Sequence, residues 1–255
     1  MTGLEMFAVF LAGIAAGAIN TVVGSGTLIT FPTLLAVGVP PVTANVSNNI
    51  GLVPGSLSGA LGYRRELAGQ RGRILKLGVA SLLGGFAGAL MLLGLPEAAF
   101  RTIVPVLIAI GCLLVLFQPS ISKRLPTPSG TREGDSEKVS SWVWVLVLLT
   151  GIYGGYFGAA QGVLLMAVLG IGINDSMQRL NGAKNILAGL VNAVAALIFI
   201  AVAEVDWLVV ALIAGGSVIG GQLGASVGRR LPPLALRLFV VVVGVAALTA
   251  FLVTS

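Results

Sequence analysis

Residues 16–32 have the sequence AGAINTVVGSGTLITFP, an apolar run that Gly24, Ser25 and Gly26 interrupt. The apolar character begins at residue 4 and continues to residue 38. An unbroken helix over this range would be about 50 Å long, whereas the hydrocarbon core of a bilayer is about 30 Å thick. The stretch therefore predicts a broken helix, or a hairpin that enters a membrane and turns back.

The composition of the whole chain indicates lipid surroundings. Of the 255 residues, 56% are hydrophobic and 9% are charged, whereas about a quarter of the residues of a soluble domain are charged. So few charged side chains cannot cover a water-facing surface, which excludes a soluble globular enzyme. The net charge of +6 comes from short basic runs between apolar segments. Such runs are typical of cytoplasmic loops and do not indicate nucleic-acid binding.

The chain lacks the residues of most catalytic and metal sites. It has no histidine and a single cysteine, Cys112, in an apolar segment. This excludes a Ser-His-Asp triad, a Cys-His pair, an HExxH metalloprotease helix and a four-cysteine zinc site. No acidic residue falls in the middle of an apolar segment, so a buried carboxylate proton relay is not expected. We expect no enzymatic activity, no cofactor and no bound metal.

The interruption occurs twice along the chain. A second apolar run, 141–173, is broken by GAAQG at 158–162. When the chain is shifted by 136 residues, roughly 18 of 81 ungapped positions are identical, where this composition gives roughly a tenth by chance. The shift pairs Gly26 with Gly162 and Asn45 with Asn181. The sequence thus predicts two homologous halves, each with an interrupted helix.

The predicted halves are a first membrane repeat at 1–117 and a second at 141–255, joined by a polar loop at 118–140. The connection around 64–76 is strongly basic, whereas its mate around 204–206 has no positive residue. Because positive residues favour the cytoplasmic side, equivalent loops are expected on opposite sides of the membrane. The predicted fold class is an all-α polytopic membrane protein, with an inverted repeat and interrupted helices or hairpins.

The two interruptions form the first candidate binding site. A break in a membrane helix frees backbone groups, which cost several kcal/mol each unless protein, water or ligand completes their hydrogen bonds. The N-termini of the helices that follow the breaks attract anions. Ser25 and Thr27 would cap the following helix or donate to such a ligand. The candidate residues of this group are Asn20, Gly24, Ser25, Gly26 and Gln161.

These residues also have structural alternatives. The glycines would then serve close helix packing, which is common in membranes. Asn20 and Gln161 lie beside the two breaks, where they would either line a cavity or satisfy the backbone groups that the breaks set free.

A second candidate group lies at the start of the long apolar segment that comes next in each half, after the short segment that follows the break. Asn45 and Asn49 are four residues apart and share a helix face, as do their mates in the second half. Amides donate to an anion without the repulsion of a carboxylate. Lys184 lies a few residues inside an apolar segment, where it would bind a substrate anion, reach the membrane surface or pair with Asp175. The candidate residues of this group are Asn45, Asn49, Asn181, Lys184 and Asn185.

In these motifs the chain resembles the sulfite exporter TauE/SafE family of bacterial and archaeal membrane permeases. The resemblance rests on AGAINTVVGSGTLITFPTLLAVGVPPVTANVSN, on GIYGGYFGAAQGVLLMAVLGIG, and on the paired segments LGGFAGA and IGGQLGA. It covers nearly the whole chain outside the loop, and departs from the family pattern where GAAQG replaces a run of glycines. It implies a multi-pass protein of the cell (inner) membrane that transports small sulfur-containing anions such as sulfite or organosulfonates.

The sequence and the resemblance together predict a secondary transporter, or permease, that works by alternating access at a site between the halves. The alternatives are an anion channel-like pore and a membrane assembly protein without transport activity. We expect a small oxyanion of the sulfite or sulfonate class as the partner, in a lipid bilayer and without nucleic acid. A homodimer is an open alternative.

Overall fold

The structure, a computed structural model, describes residues 1–123 and 139–226, together with 238, 240–246 and 248–249. All regular structure in these ranges is helical, as predicted. The helices of the described part are α1 (Gly3–Val22), α2 (Thr27–Ala36), α3 (Pro41–Gly62), α4 (Arg71–Gly94), α5 (Glu97–Lys123), α6 (Ser141–Tyr156), α7 (Gln161–Gly172), α8 (Met177–Val202) and α9 (Trp207–Ser226).

Helix lengths fall into two groups. Five helical segments are long and apolar enough to cross a membrane, namely α1, α4, residues Ala98–Phe117 of α5, α8 and α9. The apolar helices α2, α6 and α7 are shorter. Helix α3 has 22 residues but is more polar, and its asparagine side chains at 45, 48 and 49 are all buried. Because amides in lipid need partners, α3 belongs in the interior.

Both predicted interruptions are confirmed. Helix α1 ends at Val22 and α2 begins at Thr27, whereas α6 ends at Tyr156 and α7 begins at Gln161. The repeat shift of 136 residues relates the first residues of α3 and α8, Pro41 and Met177, and also those of α4 and α9, Arg71 and Trp207. The two stretches of chain therefore have the same order of one helix, one short helix and two long helices.

Glycine-lined faces hold the two most extensive helix pairs together, α1 with α9 and α4 with α6. A methyl group at Gly220 would overlap the carbonyl of Ile14, and one at Gly88 would overlap the carbonyl of Ile152. Any side chain at these glycines would separate the helices. Gly84 and Gly88 lie at the α4–α6 contact and Gly220 and Gly224 at the α1–α9 contact, whereas Gly85 faces α8 and Gly221 faces α3.

The helices interlock across the two stretches. Gly13 faces Ile213 and Gly17 faces Ser217, so α1 runs parallel to α9. Helix α6 likewise runs parallel to α4. Each broken helix therefore packs against the fourth helix of the other stretch.

The central pair, α3 and α8, runs in opposite directions. The side chain of Asn49 bonds that of Asn192, whereas Gly189 lies against Ser56 further along α3. Helices α3 and α8, which carry the second group of candidate residues near their N-termini, are therefore antiparallel.

The loop predicted at 118–140 begins later in the structure, because α5 ends at Lys123. Residues 124–138 lie outside the described residues, as do most of 227–255. The division of the chain into two domains remains a prediction.

Candidate functional site

The two breaks cross each other backbone to backbone. The amide N–H of Gly162 donates to the carbonyl oxygen of Gly24, with an N···O distance of 2.9 Å. A Cβ atom at either glycine would overlap the backbone of the other. The predicted interruptions therefore form one structural unit, and the absence of side chains at both positions is a steric requirement.

The chain turns sharply at each break. The N–H groups of Val23 and Gly24 both donate to the carbonyl of Ile19, at 2.7 and 2.9 Å, which closes α1. Gly24 then adopts φ +91°, a conformation that side chains disfavour. In the second break Ala160, the residue equivalent to Gly24 in the repeat, has φ +58°. Such a value is uncommon for a residue other than glycine.

The first turn of α2 keeps its hydrogen-bond donors available. Among the described residues, the N–H groups of Ser25, Gly26 and Thr27 have no hydrogen-bond partner. Helix α2 also lacks a side-chain cap, so neither Ser25 nor Thr27 plays the capping role that the sequence allowed. The Ser25 hydroxyl is fully buried and has no hydrogen-bond partner within the described ranges. This turn thus offers donors to a ligand at the positive end of a helix dipole.

The first turn of α7 differs, because its N–H groups are occupied. Gln161 donates to the carbonyl of Gly158, Gly162 to that of Gly24 and Val163 to that of Ala160. The side chain of Gln161 is buried and its Nε2 atom has no partner in the described part of the chain. The repeat pairs Gln161 with Ser25, so both breaks place a buried, unpartnered polar group at the same position.

Asn45 and Asn181 complete the ends of the broken helices. Asn45 Nδ2 donates to the carbonyl of Tyr156 at 2.9 Å, and Asn181 Nδ2 donates to that of Thr21 at 3.1 Å. These carbonyls belong to the last turns of α6 and α1, whose final carbonyl groups have no partner within the helix. Each amide thus donates to a carbonyl group at the C-terminal end of a helix in the other half. The side-chain donors that we predicted for a ligand are used here by the protein, whereas Asn181 Oδ1 has no partner among the residues described.

Lys184 lies at the carboxyl end of α1. Its Nζ donates to the carbonyl oxygens of Asn20 at 2.9 Å and Thr21 at 3.1 Å, and Asn185 Nδ2 donates to the Thr21 carbonyl at 3.3 Å. The side chain is only 1% exposed. It therefore does not reach the membrane surface, and its charge faces the negative end of the α1 dipole.

Asp175 is not the partner of Lys184. Its carboxylate pairs with Arg73 at 2.7 Å and Arg179 at 2.9 Å, and Gln70 accepts from Arg73 at 3.0 Å. Burial alone would raise the pKa of Asp175, but hydrogen bonds from Arg73, the Ser176 backbone and Arg179 outweigh it and hold the pKa below its usual value. This cluster joins the start of α4 to the α7–α8 connection.

The remaining predicted residues have smaller roles. Asn49 Nδ2 donates to Asn192 Oδ1 at 3.5 Å, and the Oδ1 atom of Asn49 has no partner in the described ranges. Gly26 packs against Ala16 and Asn20. The side chain of Asn20 makes no hydrogen bond within the described residues and is half-buried.

Sequence reasoning missed two polar residues of this region. Asn48 accepts from Thr30 and donates to Thr27, so it anchors α2 to α3. The Tyr156 hydroxyl is buried and has no partner in the part of the chain that the structure describes. The repeat shift was the available signal, since it pairs Asn48 with Lys184 and Tyr156 with Asn20. Within the described residues, no three acidic, cysteine or histidine side chains come together to hold a metal.

Comparison with known proteins finds similarity to membrane transporters in each case. The family model described as sulfite exporter TauE/SafE matches residues 9–251. A probable membrane transporter protein of Haemophilus influenzae is 26% identical over 226 residues, which is 88% of this chain and 85% of that protein. The probable membrane transporter protein ORF9 of a Sinorhizobium species is 26% identical over 93% of this chain and 88% of its own length. The probable membrane transporter protein YfcA of Escherichia coli K12 is 26% identical over 87% and 78%.

Proposed function

Because this chain belongs to the sulfite exporter TauE/SafE family of membrane transporters, we propose that it carries a small sulfur-containing anion, such as sulfite or an organosulfonate, by alternating access. It is a multi-pass membrane protein, with five helical segments long and apolar enough to span a bilayer. The proposal assigns the substrate to the crossing of the two breaks. It assigns no catalytic role to any residue.

The observation that supports an anion best is the buried charge of Lys184. Its ammonium group has two carbonyl oxygens as partners and no carboxylate among the described residues. A cation inside a membrane protein is costly unless a negative charge or strong hydrogen bonds offset it. Carbonyl dipoles supply part of that compensation, and a substrate anion beside Lys184 would supply the rest.

The breaks add hydrogen-bond donors for sulfur-bound oxygens. The N–H groups of residues 25–27, the Ser25 hydroxyl and Gln161 Nε2 are buried and without partners in the described part of the chain. Buried donors without partners cost free energy, so a ligand that accepts from them gains that energy on binding. An oxyanion bonded to them would also face the positive end of the α2 dipole.

The arrangement of the helices supports alternating access. The central helices α3 and α8 run in opposite directions, and each broken helix packs against the other half. This is the arrangement expected of inverted repeats, in which one half rocks against the other around a fixed site. The Gly24–Gly162 contact would be the pivot, because it joins the halves through backbone atoms alone.

The test is flux of sulfite or a sulfonate into proteoliposomes. Lys184→Ala is expected to lower saturable flux at least about tenfold, the usual value of one charged hydrogen bond. Arg71→Ala, which removes an exposed cation at the start of α4, should retain wild-type flux. Wild-type flux in Lys184→Ala would remove this residue from the site.

Two other results would contradict transport by alternating access. Flux that never saturates and shows no counterflow would indicate a channel-like pore. A protein with neither flux nor a thermal shift on any sulfur oxyanion, yet with a stable co-purified partner, would indicate an assembly role.

A further inference from the structure

A groove on the outside of the helix pair α4–α6 lies apart from the candidate site. It has a volume of about 490 Å³. None of its residues contributes to the crossing of the breaks or contacts Lys184. It is lined by Lys76, Val79, Val139, Ser141, Trp144 and Val145.

The groove combines an apolar wall with a charged end. Val79 and Val145 are exposed along it, whereas Lys76 and Ser141 contribute an ammonium group and a hydroxyl. Lys76 is exposed and has no ion pair among the described residues. The indole N–H of Trp144 donates to the Lys76 carbonyl at 3.1 Å, which fixes the two helices at this point. Tryptophan and lysine at helix ends are typical of the membrane interface.

The surrounding charge favours a ligand with a net negative headgroup. Arg64, Arg65 and Arg71 are exposed at the same end of α4, and basic residues near a membrane surface attract anionic lipid, most strongly where they contact it. A phosphodiester can pair with Lys76 while its acyl chain follows the two valines. The volume is within the range of small-molecule binding sites, roughly 300–1,000 Å³.

The opposite helix pair, α9–α1, lacks these groups. The repeat shift pairs Lys76 with Leu212 and Ser141 with Glu5. The Glu5 carboxylate accepts from the N–H of Thr2 at the start of α1. A carboxylate would repel a phosphate, so the groove is specific to one end of the molecule.

We propose that this groove binds one anionic phospholipid, of the phosphatidylglycerol class, with the phosphate on Lys76 and an acyl chain along Val79 and Val145. The lipid bridges α4 of the first half and α6 of the second, and so stabilises the contact between the halves.

Native mass spectrometry of the purified protein tests this proposal, with dioleoyl phosphatidylglycerol and dioleoyl phosphatidylcholine added at equal concentration. The wild type should retain phosphatidylglycerol preferentially. Lys76→Gln should lower its retention about fivefold, the equivalent of one basic residue. Arg71→Gln, which removes an exposed cation outside the groove, should lower it less.

A second pair of variants separates the groove from general attraction to a basic surface. Val79→Trp and Val145→Trp fill the groove without changing charge, and both should lower phosphatidylglycerol retention in protein that elutes as a single folded species. Equal retention of phosphatidylglycerol in these variants and the wild type would overturn the proposal that the lipid binds in the groove. Equal losses in Lys76→Gln and Arg71→Gln, or equal retention of the two lipids by the wild type, would overturn the assignment to Lys76.

Discussion

Gly24 and Gly162 lie in direct backbone contact, with the N–H of Gly162 donating to the carbonyl of Gly24 at 2.9 Å. Gly24→Ala is expected to abolish saturable flux, because its methyl group would overlap the Gly162 backbone and separate the two breaks. Gly38→Ala is the matched control, since Gly38 also has a positive φ, +83°, but its added methyl meets open space. The control should lose only about 1 kcal/mol of unfolding free energy and keep its flux. Equal loss of flux in both variants would show that backbone conformation matters and the contact does not.

Asn45 is expected to stabilise the fold through the end of α6. Asn45→Ala leaves the buried Tyr156 carbonyl without its donor, which should cost about 1–3 kcal/mol of unfolding free energy. Asn45→Asp should cost more, because a carboxylate oxygen would then face the carbonyl. Denaturant unfolding in detergent measures both variants. Thr102→Ala removes an exposed hydroxyl bond and should change the stability by less than about 0.5 kcal/mol. A loss in Asn45→Ala no larger than in this control would contradict the role.

The Asp175 cluster is expected to make stability depend on pH. The folded-state pKa of Asp175 is held below its usual value. The cluster therefore contributes its full stability above the unfolded-state pKa and loses it as the pH falls through the folded-state pKa. Asp175→Asn should lower the unfolding free energy at pH 7 by about 2 kcal/mol. This loss is smaller than that expected on breaking a fully buried ion pair, because Arg179 is partly exposed. The difference from the wild type should shrink on acidification. A difference that stays constant from neutral to strongly acidic pH would contradict this assignment.

Ala160 is expected to carry conformational strain at the start of α7. It has φ +58°, a region that costs a residue other than glycine about 1–2 kcal/mol. Ala160→Gly should therefore raise the unfolding free energy by up to about 1 kcal/mol. Ala159→Gly is the control, because Ala159 is buried without a positive φ and should lose stability instead. Destabilisation of both variants by the same amount would show that the buried methyl group outweighs the strain.

The interruptions, the repeat and the residues that surround the crossing could be predicted from sequence. Gly24-Ser25-Gly26 and its mate divide apolar runs that are too long for one helix, and a shift of 136 residues relates the parts. Those signals are local or periodic, so a single sequence is sufficient to reveal them.

The hydrogen-bond partners could not be predicted in the same way. Asn181, Lys184 and Asn185 donate to carbonyls about 160 residues earlier in the chain. Every residue has a carbonyl, so the sequence cannot single out Thr21 as the acceptor. The difference between the N-termini of α2 and α7 has a similar origin. The N–H groups of Gln161 and Val163 bond local carbonyls and that of Gly162 bonds Gly24, and the residue types of the two breaks do not reveal these partners.

The contacts of α1 also determine when this helix can reach its native environment during biosynthesis. The carbonyls at its end accept hydrogen bonds from Asn181 and Lys184 of α8, and its glycine-lined face packs against α9. These contacts can form only after α8 and α9 have been synthesised. The ribosome makes α1 before α8 and α9, so α1 is synthesised well before these native neighbours. Until then its terminal carbonyls need water or the insertion machinery. A nascent chain released before α8 would lack the donors that these carbonyls bond in the folded protein.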